Sequence, residues 1–259
     1  MAFRPFDLTG KVALITGGNG GIGFGLADGI AQAGGTVVIW GTRESKNDDA
    51  VERLRAHGGV VAAHKVDVSD EQQVVDGIKQ AVAEHGRLDA VFANAGVGGG
   101  GPFIDMQTEL FRRVHAVNLE GVFWTLRESA RHMVERAKAG DTGGSLVAVS
   151  SLSTHNGAPR NQAYASSKGA VISMIKGCAV EFARYGIRAN AILPGWIATE
   201  MTEPMQAAPI FAEKVIPRVP ARRWGTPEDF NALGVYLTSD GSAFHTGDSI
   251  IIDGGWALS

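Results

Sequence analysis

Cysteine is nearly missing from this sequence, with Cys178 alone among 259 residues. A single cysteine excludes an internal disulfide and any cysteine-rich metal site. Excess positive charge is also lacking: 24 Lys and Arg against 27 Asp and Glu leave a formal net charge of -3. The basic residues are scattered, which argues against a nucleic-acid surface. No apolar run is long enough to span a bilayer, and the opening MAFRPFDLTGK has no apolar signal core. Neither H-E-x-x-H nor C-x-x-C points to zinc, and no G-x-S-x-G elbow points to a hydrolase. No Pro/Ser tract, repeat or low-complexity stretch divides the chain. The expectation is one soluble, cytoplasmic domain over residues 1–259, with no metal, nucleic-acid or membrane partner.

Apolar residues are plentiful at 44 %, enough for a substantial core, and the 35 glycines cluster. Short apolar runs at 11–16, 36–41, 60–66, 88–94, 145–151, 188–193 and 249–253 read as buried strands. Between them lie segments with helical spacing, notably 71–85, 107–138 and 161–184. Strands alternating with helices imply βαβ units, hence an α/β fold with a parallel sheet covered on both faces. Pro194 to Pro227 holds six of the nine prolines and reads as a long excursion rather than a boundary.

The stretch TGGNGGIG, Thr16 to Gly23, follows the first strand and opens a helix. Glycines there permit a tight turn, close approach of backbone to phosphate, and helix-on-sheet packing; the helix N-terminus then receives a pyrophosphate. Two registers fit: Gly18, Gly20 and Gly23, or Gly17, Gly21 and Gly23. Between a first strand and a first helix, a dinucleotide loop is favoured over a flexible turn. An acid at the end of the second strand would hold the ribose hydroxyls of NAD, but Gly41, Thr42 and Arg43 stand there. No carboxylate repels a 2′-phosphate, and Arg43 could grip one, so NADP(H) is favoured over NAD(H). The bland alternative is a solvated Arg43 partly neutralised by Glu44. Asp67-Val68 and Asn94-Ala95-Gly96 end the third and fourth strands, where ligands sit, although Asp67 could equally cap the next helix.

On a helix from Asn161 to Arg184, Tyr164 and Lys168 share the core-facing stripe with Val171, Ile172, Ile175, Ala179 and Phe182. Bringing a phenol from ~10 to neutrality takes roughly 4 kcal/mol. A positive charge ~4 Å away supplies about that much at an effective dielectric of ~20. Lys168 is therefore expected to make Tyr164 a usable proton donor and acceptor, with an oxidised nicotinamide adding a second positive charge. Ser151 ends the fifth strand with Ser150 and Ser153 as rivals. Asn118 falls on the apolar stripe Phe111, Val114, Val122, Thr125 of its own helix, where a structural hydrogen bond is the ordinary explanation.

Together these residues resemble the classical short-chain dehydrogenase/reductase family over essentially the whole chain. Its T-G-x-x-x-G-x-G loop selects Thr16, Gly17, Gly21 and Gly23, and its spacing to the tyrosine selects Ser151. The resemblance implies a single-domain Rossmann-type three-layer sandwich with a seven-stranded parallel sheet. It implies a catalytic set of Asn118, Ser151, Tyr164 and Lys168. It implies cofactor contacts from Gly17, Asn19, Gly21, Ile22, Gly23, Thr42, Arg43, Asp67, Val68, Asn94, Ala95, Gly96, Pro194, Gly195, Ile197 and Thr199, besides Tyr164 and Lys168. A lid over residues 195–225 would cover the substrate, with Ser153, His155 and Trp196 as further contacts. The expected activity is NAD(P)(H)-dependent interconversion of a ketone and a secondary alcohol, on an apolar or cyclic substrate. Reduction of a 3-oxoacyl thioester is the nearest alternative, and a cofactor-binding regulator without turnover is the alternative from another class. Small Ala170, Ser173 and Gly177 on the outer face of the Tyr164 helix, with the family's habit, suggest a homotetramer.

Overall fold

The computed structural model describes residues 5–258. β1 (Val12–Thr16) leads into α1 (Gly21–Gln32), β2 (Thr36–Gly41) into α2 (Glu44–Arg55), and β3 (Val61–Lys65) into α3 (Glu71–His85). β4 (Ala90–Ala93) is followed by α4 (Thr108–His115) and α5 (Gly121–Lys138), and β5 (Gly144–Val149) by α6 (Gln162–Phe182). β6 (Ile187–Pro194) precedes the short α7 (Glu203–Gln206) and α8 (Asn231–Thr238), and β7 (Ser249–Ile252) completes the sheet.

The seven strands lie in the order β3-β2-β1-β4-β5-β6-β7, and every neighbouring pair is parallel. Successive residues of a strand face opposite sides. Leu14, Val38 and Val91 therefore pack under α3, α5 and α6, together with Ile78, Leu126 and Ile175. Ile15, Val37 and Ile39 pack on the other face under α1, α2 and α8, with Leu26, Ile30, Leu54 and Leu237. Each such side chain contributes about 1.5–3 kcal/mol when fully buried. The chain builds β1 to β3 outward in one direction and then returns to lay β4 on the other side of β1. That reversal opens a crevice at the carboxyl ends of β1 and β4, the place where open parallel sheets bind ligands.

Local chemistry accounts for the boundaries nearest the crevice. Asp70 accepts the backbone N–H of Gln73 at 3.1 Å and so caps α3; the cap is Asp70, and Asp67 is engaged elsewhere. The helical run 107–138 is continuous but carries a π turn over Ala116–Glu120 between α4 and α5. Such turns widen the helix by one residue. Val114, Asn118, Val122 and Thr125 are buried as the spacing predicts, whereas Phe111 is 42 % exposed and stacks on His115 instead. After β6, the excursion is tied at its base by a parallel bridge between Ile197 and Gly225. Trp196 anchors it through edge-on contacts with Phe211, Trp224 and Trp256 at centroid distances of 5.2, 6.0 and 5.9 Å. Among the described residues no helix is long and apolar enough to cross a membrane.

Candidate active site

Two cavities meet at the carboxyl edge of the sheet. The first, a cleft of about 540 Å³, is lined by Gly17, Asn19, Gly21, Ile22, Arg43, Asn94, Ala95, Gly96, Tyr164, Lys168, Pro194, Gly195, Ile197 and Thr199. The second, about 650 Å³, is lined by Ser153, Trp196, Met201, Met205, Phe211 and Trp256 among others. Ser151 and Tyr164 line both.

The glycine loop fits a dinucleotide. Gly17 and Gly21 adopt φ of +63° and +52°, and a Cβ on Gly23 would lie 2.3 Å from the Gly17 carbonyl oxygen. α1 is preceded at its N-cap position by Gly20, which offers no capping side chain. Its first N–H groups are left for an anion, which the helix dipole also favours. Asn94 holds the loop in place by donating from Nδ2 to the carbonyls of Thr16 and Gly17 at 2.9 and 3.2 Å. Asn19 donates to Asn47 Oδ1 at 2.7 Å and ties the loop to the helix after β2.

Around Tyr164 the polar groups are closely interlocked. The Ser151 hydroxyl hydrogen-bonds the phenol and accepts the Ser153 N–H at 3.1 Å. Lys168 is 3 % exposed, and its ammonium donates to the Val149 carbonyl at 2.7 Å. Asn118 bonds both ends of one peptide pair, accepting from Val97 N–H at 2.8 Å and donating to Val97 C=O at 3.0 Å. A Cβ on Gly96 would lie 3.3 Å from Asn118 Oδ1 and 3.4 Å from Lys168 Nζ, so both face the same small space.

Burial pushes the Tyr164 phenol above its ordinary value, with the Ser151 hydrogen bond opposing, and lowers Lys168 to about 8. The protein alone therefore does not depress Tyr164 as the i, i+4 spacing suggests. Lys168 Nζ stands 5.8 Å from the ring centroid, and loss of water around both groups outweighs its charge. A protonated phenol near neutrality is the form that donates a proton.

Several expected contacts are not brought to either cavity. Gly23 lies beneath the loop, where it is needed for packing. Thr42 is exposed at the strand end. Asp67 turns back on Ser69, accepting its N–H and hydroxyl at 2.9 and 2.7 Å, and Val68 is buried at 7 % exposure. His155 is exposed and hydrogen-bonded to neighbouring Thr154 at 3.3 Å. Ser153 and Trp196 do line the second cavity, and Ser153 Oγ is buried without a hydrogen-bond partner. Glu44 does not neutralise Arg43; it pairs with Lys65 at 3.3 Å.

Sequence reading missed Lys46, Arg53 and Glu200 in the cleft lining. Lys46, Ala50 and Arg53 recur at i, i+4 and i+7, a spacing that could have marked one face of α2. Glu200 carries no such signal.

A glycine cradle at the strand reversal, joined to a cavity bearing a tyrosine, a serine and a buried lysine, defines a nicotinamide-dependent oxidoreductase. The chain belongs to the short-chain dehydrogenase/reductase family and interconverts a ketone and a secondary alcohol with NAD(P)(H). Residues 17–257 match the family described as Enoyl-(Acyl carrier protein) reductase. It is 33 % identical over 254 residues to gluconate 5-dehydrogenase of Gluconobacter oxydans, covering 98 % of this chain and 97 % of that protein. A short-chain type dehydrogenase/reductase from Mycobacterium marinum superposes with a TM-score of 0.92 at 34 % identity, over 99 % of each chain. A gluconate 5-dehydrogenase from Burkholderia cenocepacia, in complex with NADP and tartrate, does so at 0.92 and 33 % identity, covering 99 % of this chain and 98 % of that one.

Proposed function

We propose that the protein reduces an apolar or cyclic ketone with NADPH, with Tyr164 as the proton donor. The observation that carries this reading is the position of Tyr164 and Ser151 at the junction of the two cavities. When bound, the dinucleotide supplies the hydride donor or acceptor, and orientation of its ring is the protein's task. Gly17, Gly21 and the start of α1 would hold its pyrophosphate, and Pro194, Gly195, Ile197 and Thr199 would hold its nicotinamide end. Tyr164 Oη gives its proton to the carbonyl oxygen, while Ser151 holds that oxygen in line. Lys168 stabilises the phenolate left behind, and Asn118 holds Val97, next to the Gly96 that lines the cleft beside Lys168. In alcohol oxidation Tyr164 takes the proton back as base.

The excursion over residues 195–225 serves as the substrate lid. Its Trp196, Met201, Met205 and Phe211, with Trp256 packed against Trp196, present an apolar lining suited to a ring-bearing ketone. The unpartnered Ser153 hydroxyl is suited to a second substrate oxygen. A polyhydroxy acid is the second reading, favoured by the gluconate 5-dehydrogenases among the relatives and by Asn156, Arg160 and Asn161 in the lining of the same cavity. NADP(H) is favoured because Arg43 and Lys46 both border the cleft after β2. The protein assembles as a cytoplasmic homotetramer, its outer α6 face of Ala170, Ser173 and Gly177 being exposed beside Val180 at 83 %. Light scattering at micromolar concentration checks this, and a monomer mass would contradict it.

The test of function is a kinetic panel with NADPH: substituted cyclohexanones against 5-keto-D-gluconate, for the native protein and Tyr164→Phe. Preference for the cyclic ketones supports the apolar reading, and preference for the keto acid replaces it with the second. Tyr164→Phe is expected to lower kcat/KM by roughly 10²- to 10⁴-fold while still binding NADPH. Undiminished turnover in that variant would remove the mechanism.

A further inference from the structure

Glu200 stands directly after Thr199 at the start of the excursion, and its carboxylate reaches across the mouth of the cofactor cleft. One oxygen accepts from Arg43 Nη2 at 2.9 Å, and the other accepts from Lys46 Nζ. All three side chains belong to the lining of the same cleft. Arg43 lies two residues beyond β2, at the N-cap of α2, and Lys46 lies in the first turn of that helix. They flank the point where a fold of this topology places the adenosine ribose.

These two cations thus already hold an anion. A carboxylate brings one negative charge and two acceptor oxygens. A phosphate monoester brings nearly two charges and three oxygens to the same donors. Glu200 is an imperfect copy of the 2′-phosphate, supplied by the chain itself. Its carboxyl is held below the ordinary range, first by the Lys46 hydrogen bond and then by Arg43, so it is ionised at neutral pH. While it holds Arg43 Nη2 and Lys46 Nζ, a phosphate must compete with it for those donors. A coenzyme without that phosphate has no reason to dislodge it.

We infer that Glu200 is a specificity-determining residue of the coenzyme site: an internal rival that NADP(H) must displace from Arg43 and Lys46 and that NAD(H) leaves in place. The inference rests on the NADP(H) reading above. It makes the apparent affinity for NADPH lower than the cation pair alone would allow, by the fraction of molecules in which the pair is occupied. Arg43 and Glu200 are 61 % and 63 % exposed, so the contact is a weak one. A single exposed pair of this kind changes affinity by roughly 1.5- to 5-fold, and Glu200 makes two such contacts.

Calorimetric titration of the full-length native protein and of Glu200→Gln, Arg43→Met and Lys46→Met tests it, with NADPH, NADH, 2′,5′-ADP and 5′-ADP as ligands. Glu200→Gln is expected to bind NADPH and 2′,5′-ADP about 2- to 10-fold more tightly, with NADH and 5′-ADP changed by less than about 2-fold. The two cation variants are expected to weaken NADPH and 2′,5′-ADP selectively. If Glu200→Gln weakens all four ligands alike, the residue is a clasp over the bound coenzyme and the inference is wrong. It is equally overturned if Glu200→Gln changes nothing while Arg43→Met or Lys46→Met still weakens NADPH. If neither cation variant alters the NADPH-to-NADH ratio, the NADP(H) reading itself fails and the rivalry fails with it.

Discussion

Lys168 carries an ammonium into a site that is 3 % exposed, where one backbone carbonyl accepts from it. Burial brings its pKa down from 10.5 to about 8. Below about 8 the group is charged in both the folded and the unfolded chain, and the full cost of burying the charge is present. Between 8 and 10.5 the unfolded chain binds more protons than the folded one, so stability rises with pH there. At about 1.4 kcal/mol per unit, that cost is on the order of 3 kcal/mol. Lys168→Met is therefore expected to be no less stable than the native protein at pH 7, yet to lose at least about 100-fold in kcat/KM. Denaturant melts of both proteins from pH 7 to 10.5 check this, since the stability difference between them should change only above about pH 8. Tyr164 moves in the opposite direction, its pKa raised by burial. Ketone reduction, which uses the protonated phenol, is expected to stay level through neutrality and fall only in the alkaline range. Alcohol oxidation is expected to rise with pH over the same interval, and the two kcat/KM profiles would show it.

At the scale of elements, the π turn over Ala116–Glu120 is what points Asn118 at Val97. Helical spacing correctly placed Asn118 on the buried stripe, but the widened turn depends on packing between α4, α5 and the loop after β4. The peptide at Val97 gets its partners from this one amide. Asn118→Ala leaves an N–H and a C=O there without them, at a cost of about 1–3 kcal/mol. Loss of activity should exceed what that destabilisation explains, because Asn94, Ala95 and Gly96, just before Val97, line the cleft. Thermal melts compared with kcat/KM at a temperature where the variant is fully folded separate the two effects. The glycine run after Asn94 also brings two loops into close contact. A Cβ on Gly100 would lie 2.3 Å from the Arg160 carbonyl oxygen, so this loop and the one before α6 touch backbone to backbone.

Across the whole molecule, chemistry and anchoring lie at opposite edges of the sheet. At the amino ends of the strands, Asp89 is 5 % exposed and accepts from Val12 N–H at 2.9 Å, Arg87 at 2.7 Å and Arg136 at 3.3 Å. Burial alone would raise its pKa, but these hydrogen bonds, led by Arg87, hold the carboxyl below the ordinary range. Its contribution to stability is present above the unfolded value near ~3.9 and is lost as pH falls through the lower folded value. Asp89→Ala leaves the Val12 N–H without its acceptor and Arg136 with Asp141 as its remaining carboxylate, and is expected to cost about 1–3 kcal/mol. The acid-unfolding midpoint should move to higher pH, while kcat/KM per folded molecule stays at the native level. Equal stability in acid-unfolding curves would show that the cluster anchors nothing.

What the sequence determined by itself was whatever depends on near neighbours along the chain. Strand and helix periods, the glycine loop and the four-residue step from Tyr164 to Lys168 are local, and each appears in the structure where the pattern put it. Tertiary structure decided the contacts that local pattern leaves open. Asp67 could have faced a nucleotide but satisfies Ser69, and His155 follows the active-site strand yet points to solvent. Arg43 meets a carboxylate 157 residues away rather than the adjacent Glu44. The direction of the Tyr164 shift belongs here too, since it depends on how much water the fold removes from the phenol and from Lys168. Charge partners and desolvation are set by which distant segments the sheet brings together, and no spacing rule along the chain encodes that distance.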